Sequence, residues 1–441
     1  MKKLISGALS PLFSLFKGQS KLLWISLMVG GILSATLPET VKAEMKDSPK
    51  QVIDEVWQIV NHQFVDGNFN RVDWRKKREE LLNRSYTSRA QAYRAIQQAL
   101  RELGDPYTRF LPPEEFEALT SQTAGEISGI GVKVVTDPRT QELYVVDVIK
   151  KSPAFQAGLK RGDRIVRIDG KPTTLMNMEK ATEALKGEIG TDVTLEIVRE
   201  GKPSFVVKIT RKQFEVPSLE FSLKREGDMK VGYIRLEEFN SHAVAQMRNA
   251  IIQLQRENPH AFVLDLRGNP GGLLFASVDI ARLWLAKGEI VDIVARQGGH
   301  QRYSANNSAL TDLPLVVLVD GNSASASEIL AAALKENKRA IVVGTNTYGK
   351  GTVQSVYPLS DGSGVAVTIS RYYPPSGTNI NKKGITPDIF QPLTKEEEVL
   401  LNQNPSLLAT AKDSQYNKAI SVLRGLLSAR KTGQKENRQI P

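Results

Sequence analysis

Cysteine is absent from this sequence, and histidine is scarce. Without cysteine the chain has no thiol nucleophile, no disulfide framework and no thiolate metal site. The histidines stand neither in a Ser/His/Asp context nor in the His-Glu-x-x-His pair of a zinc hydrolase; they are His62, His242, His260 and His300. We therefore expect no bound metal and no cofactor. Any catalytic group is then expected to be a side chain other than cysteine or histidine.

No segment of the chain concentrates its charge, although the formal net charge is +11. Lysine and arginine are scattered, and no zinc-finger, RRM or helix-turn-helix pattern accompanies them, so nucleic acid is not an expected partner. The chain has 441 residues, of which 41% are hydrophobic and 24% charged. It is long enough for two or three packed units and too apolar to be disordered throughout.

The N-terminus has the pattern of an export signal. Lysines precede an uncharged, largely apolar stretch at 22–37, and Val41 and Ala43 supply the small residues that a signal peptidase needs. We expect cleavage after Ala43, which makes 1–43 a signal peptide. The apolar stretch is shorter than the ~20 residues that span a bilayer, but an uncleaved anchor is the alternative and would associate the chain with a membrane. In either case the rest of the chain lies outside the cytoplasm.

The patterns beyond the signal predict an α/β multidomain protein. Residues 44–117 have the apolar spacing of helices. Residues 118–211 are rich in short strands between Gly and Pro turns and form a β module. In 212–394 apolar strands alternate with helical stretches, which indicates an α/β core with a mostly buried sheet. Residues 395–441 are polar without a strong apolar period, and we interpret them as a C-terminal extension with a flexible tip.

A candidate nucleophile lies in the segment GNSASASE at 321–328, between an apolar strand at 315–319 and a helical run. A serine at a strand-to-helix turn can expose its hydroxyl while the amides of the helix N-terminus point at a developing oxyanion. The alternative is an ordinary helix start, at which the serines cap the backbone and the alanines pack closely.

A candidate general base stands in the segment GTNTYGKGTVQ at 344–354. The segment differs from a phosphate-binding loop, because Gly351 stands where that loop needs a Ser or Thr for magnesium. Holding Lys350 neutral at pH 7 against a pKa of about 10.4 would require roughly 4.6 kcal/mol, and burial lowers lysine pKa values by about 3 to 5 units. Desolvation is thus large enough to make a neutral base. The alternative is a surface lysine in a Gly-rich turn.

A glycine-rich turn follows a buried strand in the segment DLRGNPGG at 265–272. Glycines let backbone amides approach a ligand closely, as an oxyanion hole requires; an ordinary strand-to-helix turn is the alternative. Asp265 and Asp320 both end strands, so a carboxylate-only hydrolase is a further alternative, although both residues are equally consistent with structural roles.

These three segments, in this order, resemble the C-terminal processing (tail-specific) peptidase family. The segments GDPYT at 104–108 and GITPD at 384–388 extend the likeness to roughly residues 50–393. The resemblance implies a serine endopeptidase core that works with a Ser/Lys dyad and without a metal.

The resemblance also implies a role for particular residues. It makes Ser325 the nucleophile, Lys350 the base and Gln354 the residue that orients the lysine. It places oxyanion donors at the amide of Ala326 and at one glycine of the 265–272 turn. Of the two candidates, we prefer Gly271 to Gly272.

The β module resembles a PDZ domain through SGIGV at 128–132, SPAFQAGL at 152–159 and GDRI at 162–165. In a PDZ domain the amides of the first loop hold the terminal carboxylate of a peptide, which pairs with the following strand. The resemblance therefore implies a protein substrate with a free C-terminus. The residues that it assigns to this contact are Gly129, Ile130, Gly131 and Val132.

Two other functions are consistent with parts of the pattern. A PDZ adaptor or chaperone with an inactive peptidase core would share the fold, but it would have no reason to keep Ser325, Lys350 and Gln354. A Ser/Lys hydrolase of small substrates would have little use for a PDZ module. The likeness is strongest to family members of photosynthetic organisms, which trim the precursor of a photosystem II reaction-centre subunit. We therefore expect the chain in the periplasm or the thylakoid lumen, with general periplasmic turnover as the alternative role.

Overall fold

The computed structural model describes residues 48–137, 140–296 and 298–436, the last six by their backbone alone. The predicted signal peptide, its cleavage site and the tip of the chain lie outside the described residues. Four sheets and their helices form an N-terminal helical region, a β module and an α/β core. The predicted α/β multidomain fold is thus confirmed.

The N-terminal region is helical because polar side chains cap its helices and apolar residues recur at helical spacing. Ser48, Asp73 and Ser88 each accept a hydrogen bond from a backbone amide in the first turn of a helix. The helices are α1 (Pro49–Gln63), α2 (Trp74–Asn83), α3 (Arg89–Glu102) and α4 (Pro113–Ala124). Among the described residues, no helix of the chain is long and apolar enough to cross a bilayer.

This helical region is joined to the core. A short strand, β1 (Arg109–Leu111), pairs antiparallel with the core strand at Gly364–Tyr373. The apolar faces of α1 and α3 bury against Val365 and Val367 of this core strand and against Leu359 in the turn before it. The N-terminal region therefore places the loop between α3 and β1 against the core.

The β module is an antiparallel sheet in which strand alternation buries one face. Its strands are β3 (Val132–Thr136), β4 (Leu143–Val148), β5 (Arg164–Ile168), β6 (Lys171–Pro172), β7 (Asp192–Val198) and β8 (Phe205–Thr210). The order is β3-β4-β5-β7-β8, with β6 paired to β5, so β3 is an edge strand. The helices α5 (Pro153–Gln156) and α6 (Met178–Leu185) cover the sheet.

The chain enters and leaves the β module through a two-stranded ribbon, β2 (Glu126–Gly129) with β9 (Lys212–Glu215). The predicted start of the module at 118 falls inside α4, because that helix continues to Ala124 and ends at Gly125, which has a φ of 70°. Short apolar alternation does not distinguish the end of one helix from the start of a ribbon.

The core sheet is mostly parallel and buried on both faces. Its strands are β10 (Leu219–Glu226), β11 (Met229–Leu236), β12 (Ala261–Asp265), β15 (Leu315–Val319), β16 (Ile341–Gly344) and β19 (Ile389–Phe390), in that spatial order. Only the β10–β11 pair is antiparallel. Three helices pack on one face: α7 (Ala243–Arg256), α8 (Leu274–Trp284) and α9 (Ala326–Glu336). The carboxyl ends of parallel strands meet at one edge, which is where the candidate residues lie.

A second sheet flanks the core. It contains β13 (Glu289–Ala295), β14 (His300–Ser304), β17 (Thr352–Pro358) and β18 (Gly364–Tyr373), together with β1. β17 follows the candidate lysine directly, so the lysine loop runs from the carboxyl end of β16 to the start of this second sheet.

The C-terminal segment is part of the core, which corrects the prediction of a polar extension at 395–441. After α10 (Lys395–Gln403), the long helix α11 (Ser414–Glu436) covers the second face of the parallel sheet. Its buried residues Tyr416, Ala419, Ile420 and Leu423 recur at three and four and pack against the sheet. The stripe is narrow and lies within a polar composition, so its sequence does not by itself indicate a core face.

Candidate active site

Three serines lie in the turn from β15 into α9, and only one keeps its side chain partly exposed. Ser323 and Ser327 are fully buried. The Ser323 hydroxyl donates to the Leu266 carbonyl at 2.8 Å, and the Ser327 hydroxyl donates to the Asn269 carbonyl at 3.0 Å. Ser325 is half-buried and has φ 53° and ψ −113°, a strained conformation for a residue with a Cβ. The outer serines therefore hold the turn, and the turn presents Ser325.

Glu328 ties the serine turn to the lysine loop. Its fully buried carboxylate accepts hydrogen bonds from the amides of Ser325 (2.8 Å), Gly349 (2.7 Å) and Lys350 (2.9 Å). It also accepts one from the Thr347 hydroxyl at 2.6 Å. Charged acceptors make strong hydrogen bonds, so this carboxylate fixes the backbone of the lysine relative to that of the serine. The amides that a phosphate-binding loop would offer to phosphate are satisfied by a carboxylate of the chain itself.

Lys350 is half-buried at the base of the same site. Burial lowers the pKa of its amine below the ordinary value of 10.5; the carboxylates of Asp105 and Glu328 oppose this effect, and the charge of Arg109 adds to it. The Lys350 Nζ lies 4.7 Å from the centroid of the Tyr107 ring. The alternative of a freely solvated surface lysine is therefore excluded by the structure.

Tyr372 links the backbones of Ser325 and Lys350. This side chain is buried, its hydroxyl hydrogen-bonds to the Lys350 carbonyl, and the same hydroxyl lies 3.2 Å from the Ser325 carbonyl. Burial raises the pKa of Tyr372 well above its ordinary value of 10.0, so the phenol stays a hydrogen-bond donor. No sequence motif contains Tyr372, so its role could not be predicted from the sequence. It lies on β18, which comes after the lysine loop in the chain.

Gln354 lies near the lysine in sequence, but its side chain contacts two threonines. Its Nε2 donates to the Thr352 hydroxyl at 3.0 Å and to the Thr368 hydroxyl at 3.1 Å. Among the hydrogen bonds of the described residues, none joins Gln354 to Lys350, and none joins the Lys350 amine to the Ser325 hydroxyl. The structure thus places Ser325 and Lys350 beside one another without their side chains in direct contact.

The glycine turn after β12 lies directly against the serine. A Cβ added to Gly271 would come within 2.9 Å of the Ser325 Cβ and 3.0 Å of the Ala326 amide nitrogen, so only glycine fits this position. The Gly271 amide donates to Asn269 Oδ1 at 2.9 Å. The Gly271 carbonyl accepts a hydrogen bond from the Phe239 amide at 3.0 Å. A trans peptide sets a carbonyl and the amide of the next residue on opposite sides, so the Gly272 amide faces away from Phe239.

The carboxylates that end the two strands have structural partners. Asp265 is fully buried with Arg267, whose guanidinium also binds Asp413. Burial by itself would raise the pKa of Asp265, but the charge and hydrogen bonds of Arg267 hold it below the ordinary value. Asp320 accepts from the amides of Gly268 and Ser323, both at 3.0 Å. These contacts account for both aspartates and remove the support for a carboxylate-only hydrolase.

An open cavity of about 460 Å³ connects these elements. Its lining comes from the α3–β1 loop, the glycine turn, the serine turn and the lysine loop: Tyr107, Gly268, Pro270, Asn322, Ala324, Tyr348 and Lys350. Within the described part of the chain, no group of three or more His, Asp or Glu side chains could hold a metal ion. Lys350 lines this cavity beside the serine turn, which contributes Asn322 and Ala324.

The predicted carboxylate loop of the β module comes directly before its edge strand, β3. The carbonyl of Ile130 accepts from the Ala154 amide at 2.8 Å, and that of Gly131 accepts from the Ile149 amide at 3.0 Å. Because a trans peptide sets C=O and the following N–H on opposite sides, the amides of Gly131 and Val132 face away from these internal contacts. The loop is thus built with two neighbouring donors turned away from its own fold.

The arrangement agrees with two family models. A model of peptidase family S41 matches residues 230–390, and a PDZ domain model matches residues 144–199. Among curated relatives, the carboxyl-terminal-processing protease of Synechocystis sp. is 38% identical over 91% of this chain and 92% of its own length. The chain belongs to the carboxyl-terminal-processing proteases of peptidase family S41. It is therefore a serine-type peptidase with a PDZ domain, as the sequence predicted.

Other relatives of this S41 peptidase come from plastids. The chloroplastic carboxyl-terminal-processing peptidase 2 of Arabidopsis thaliana is 38% identical over 84% of the chain and 75% of its own length. A solved structure described as a photosystem II D1 C-terminal processing protease shares 37% identity, covers 78% of this chain and 93% of its own, and has a TM-score of 0.52. A putative S41 protease from Bacteroides fragilis, at 16% identity and a TM-score of 0.53, shares the fold.

Two further site residues of the S41 peptidase were not assigned a role from the sequence. Glu328 ends the serine segment, and a Glu three residues after a helix N-cap is a capping-box signal; that signal was available, but it does not reveal the bonds to the lysine loop. Tyr107 lies in the GDPYT segment, which we used only as a family signature.

Proposed function

We propose that this S41 peptidase is an exported endopeptidase that cleaves protein substrates with a Ser325/Lys350 dyad, after its PDZ domain has captured the free C-terminus of the substrate. The observation that carries the proposal is the contrast within one turn: Ser323 and Ser327 are buried and bonded to the neighbouring turn. Ser325, in contrast, stands partly exposed in a strained backbone conformation, beside a lysine of lowered pKa.

In this mechanism a neutral Lys350 amine takes the proton of the Ser325 hydroxyl while the oxygen attacks the scissile carbonyl. The ammonium then gives that proton to the leaving amine as the C–N bond breaks, which leaves an ester on Ser325. Water hydrolyses the ester, and its proton passes through Lys350 back to the serine oxygen. The lysine has to swing from Tyr107 towards Ser325 for the first step; catalytic hydrogen bonds often tighten only when substrate is bound.

The Ala326 amide, at the N-terminus of α9, is the first oxyanion donor in this proposal, because it follows the nucleophile and points out of a helix start. Gly271 remains our choice for the second donor, since its position is within contact of the Ala326 nitrogen. Its amide then has to leave Asn269 Oδ1 when substrate binds. Gly272, whose amide faces away from Phe239, is the alternative.

Gly129, Ile130, Gly131 and Val132 form the proposed site for the substrate C-terminus. Support comes from the outward amides of Gly131 and Val132 and from the position of β3 at the edge of its sheet. An edge strand has unpaired main-chain groups that an extended peptide can bind, and oriented amides hold a terminal carboxylate. The partner is thus any protein with an accessible, extended tail.

The relatives suggest a class of substrate and a location. Curated relatives are named chloroplastic processing peptidases, and one solved relative is named for the photosystem II D1 protein. We propose a photosystem II subunit precursor as the substrate, in the thylakoid lumen, with proteins of the periplasm as the alternative. An N-terminal export signal agrees with both locations, and an uncleaved signal would add a membrane anchor.

Incubation of the protein with an unfolded carrier protein tests the dyad. We expect fragments with the wild-type chain and none with Ser325→Ala, because that change removes only the attacking oxygen. Binding of the carrier by Ser325→Ala should persist. Cleavage by Ser325→Ala at a rate near that of the wild type would contradict the assignment, and absence of cleavage by the folded wild-type chain would favour the inactive PDZ adaptor.

A further inference from the structure

The amine of the proposed base lies on an aromatic ring that comes from another part of the fold. Lys350 Nζ is 4.7 Å from the centroid of the Tyr107 ring. Tyr107 belongs to the loop between α3 and β1 in the N-terminal region, and it lines the catalytic cavity together with Lys350 and Ala324. The face of an aromatic ring attracts a cation and has no comparable attraction for a neutral amine.

Hydrogen bonds anchor the backbone of the loop that carries this ring. The Tyr107 amide donates to Asp105 Oδ1 at 3.2 Å, and the Thr108 hydroxyl donates to Asp105 Oδ2 at 2.6 Å. The same Thr108 oxygen accepts from the Thr368 amide on β18 at 3.1 Å. The backbone that carries the ring is thereby tied to β18, the strand that also carries Tyr372.

The Tyr107 hydroxyl is not itself a base in the working range of pH. Burial and hydrogen bonding to Tyr348 raise the pKa of Tyr107 to about 12. The ring therefore stays a neutral phenol, and its contribution to the site is the electron density of its face. Tyr107 therefore carries no charge, unlike the charged groups around the lysine.

We propose that Tyr107 is a positioning residue that holds the protonated form of Lys350 inside the cavity and thereby sets the pH above which Lys350 serves as a base. The inference rests on the proposed Ser325/Lys350 dyad and deepens it. At low pH the ammonium rests on the ring, away from Ser325. When it loses its proton to solvent, the attraction of the ring is lost, and the neutral amine is free to turn to the serine.

Several charged and titratable groups act on this lysine besides the ring. Asp105 and Arg109 come from the loop and from β1, and Glu328 comes from α9. Tyr348 precedes the lysine in its loop, and Tyr372 reaches its backbone from β18. Asp105 and Glu328 favour the charged amine as the ring does, whereas Arg109 disfavours it. A test has to change the ring and leave these groups in place.

Two substitutions at position 107 change the side chain and leave these charged groups in place. Tyr107→Leu keeps an apolar wall and removes the aromatic face, and Tyr107→Phe keeps the face and removes the hydroxyl. The measurement is the pH dependence of kcat/KM on an unfolded protein substrate, whose acid limb reports the pKa of the base in the free enzyme. We expect Tyr107→Phe to keep the position of that limb, and Tyr107→Leu to move it to lower pH by about half a unit to one unit.

Below the wild-type limb, Tyr107→Leu should therefore be about three- to tenfold more active than the wild type, relative to the plateau of each enzyme. A residue that only filled space would not produce this gain. An unmoved limb in Tyr107→Leu, a limb that moves to higher pH, or an equal shift in Tyr107→Phe would overturn the proposal.

A shape-conserving series keeps the proposal testable if Tyr107→Leu does not fold. Phenylalanine, 4-fluorophenylalanine, 3,5-difluorophenylalanine and 3,4,5-trifluorophenylalanine at position 107 withdraw electron density from the ring step by step at nearly constant size. We expect the acid limb to move to lower pH with each added fluorine. A flat series would overturn the proposal.

Lys350→Arg distinguishes the failure of this inference from the failure of the proposed dyad. If Lys350→Arg still cleaves the substrate, Lys350 is not the base and the role of Tyr107 falls with it. If Lys350→Arg is inactive and the fluorinated series is flat, the dyad stands and only the role of Tyr107 is overturned.

Discussion

At the scale of single residues, the proposed chemistry of the site depends on the protonation of one amine. A lysine side chain in water has a reference pKa of about 10.4 and is therefore protonated at neutral pH. Burial lowers the pKa of Lys350 in the folded chain, and the nearby carboxylates of Asp105 and Glu328 limit the effect. Because a base has to be neutral, activity should rise as the pH increases through the lysine pKa, and a lowered pKa brings this rise closer to neutrality.

The pH profile and a substitution test this together. We expect the acid limb of kcat/KM to lie well below pH 10, and we expect Lys350→Arg to lose cleavage by at least about a hundredfold, because general-base catalysis contributes roughly 10²- to 10⁴-fold and a guanidinium does not give up its proton. The measurement is cleavage of an unfolded substrate across the pH range, with Lys335→Arg as control, a lysine on α9 that donates to the Thr386 carbonyl. A limb near pH 10, or an active Lys350→Arg, would contradict the role of the base.

Much of the candidate site can be predicted from the sequence, because each of its three segments is short and continuous in the chain. The Ser325 turn, the Lys350 loop and the Gly271 turn each follow an apolar strand, so a short segment specifies its own geometry. Glu328 and Tyr372 make contacts that cross between segments far apart in the chain. Such contacts follow from the packing of β16, β18 and α9, which a local pattern does not determine.

At the scale of elements, the parallel strands were predicted well because each is a continuous apolar run. The run at 315–319 is β15 with the same bounds. The short β1 was not predicted, because three residues carry no period. The C-terminal helix α11 is harder to predict, because its apolar stripe is narrow and its buried partners lie on β11, β12, β15 and β16, far from it in sequence.

The buried ionic network supports this revised role for the C-terminal segment. Arg267 binds Asp265 from its own strand end and Asp413 from the residue before α11, with distances of 2.6 Å and 2.8 Å from Nη2. Gln415 Oε1 accepts from Arg267 Nη1 at 3.0 Å. The network joins the start of α11 to the strand end from which the glycine turn begins.

We expect Asp413→Ala to destabilise the protein by about 3 kcal/mol, because it leaves a buried guanidinium with one carboxylate partner fewer. The measurement is the midpoint and slope of denaturant unfolding. The matched control is Asp279→Ala, which removes an exposed carboxylate paired with Arg282 on α8 and should change stability by at most about 0.5 kcal/mol. Equal stabilities of Asp413→Ala and the wild type would contradict a structural role for this ionic network.

At the scale of the whole molecule, the proposed sites of recognition and cleavage lie in different units. The proposed carboxylate loop precedes β3 in the PDZ domain, and the proposed nucleophile lies at the start of α9 in the peptidase core. The β2–β9 ribbon and the end of α4 connect them, with a cavity of about 720 Å³ between α4, the ribbon and the turn at 186–189. Binding energy from a tail held in one unit can thus support the reaction in the other.

In the proposed function, this peptidase selects its substrate by a free C-terminus. Charge-assisted hydrogen bonds from the loop amides to a carboxylate are worth roughly 1.5 to 3 kcal/mol, and a neutral amide gives about half of that. Since about 1.4 kcal/mol is one decade in affinity, capture of an amidated tail should be several-fold to tenfold weaker.

The direct measurement is kcat/KM for one unfolded protein substrate prepared with a free or an amidated C-terminus. Binding of the same two substrates to Ser325→Ala is measured in parallel, so that capture is seen without cleavage. We expect the free terminus to be preferred, by about three- to tenfold, in both cleavage by the wild type and binding by Ser325→Ala. Equal values for the two termini would contradict the claim that the PDZ domain recognises the substrate tail.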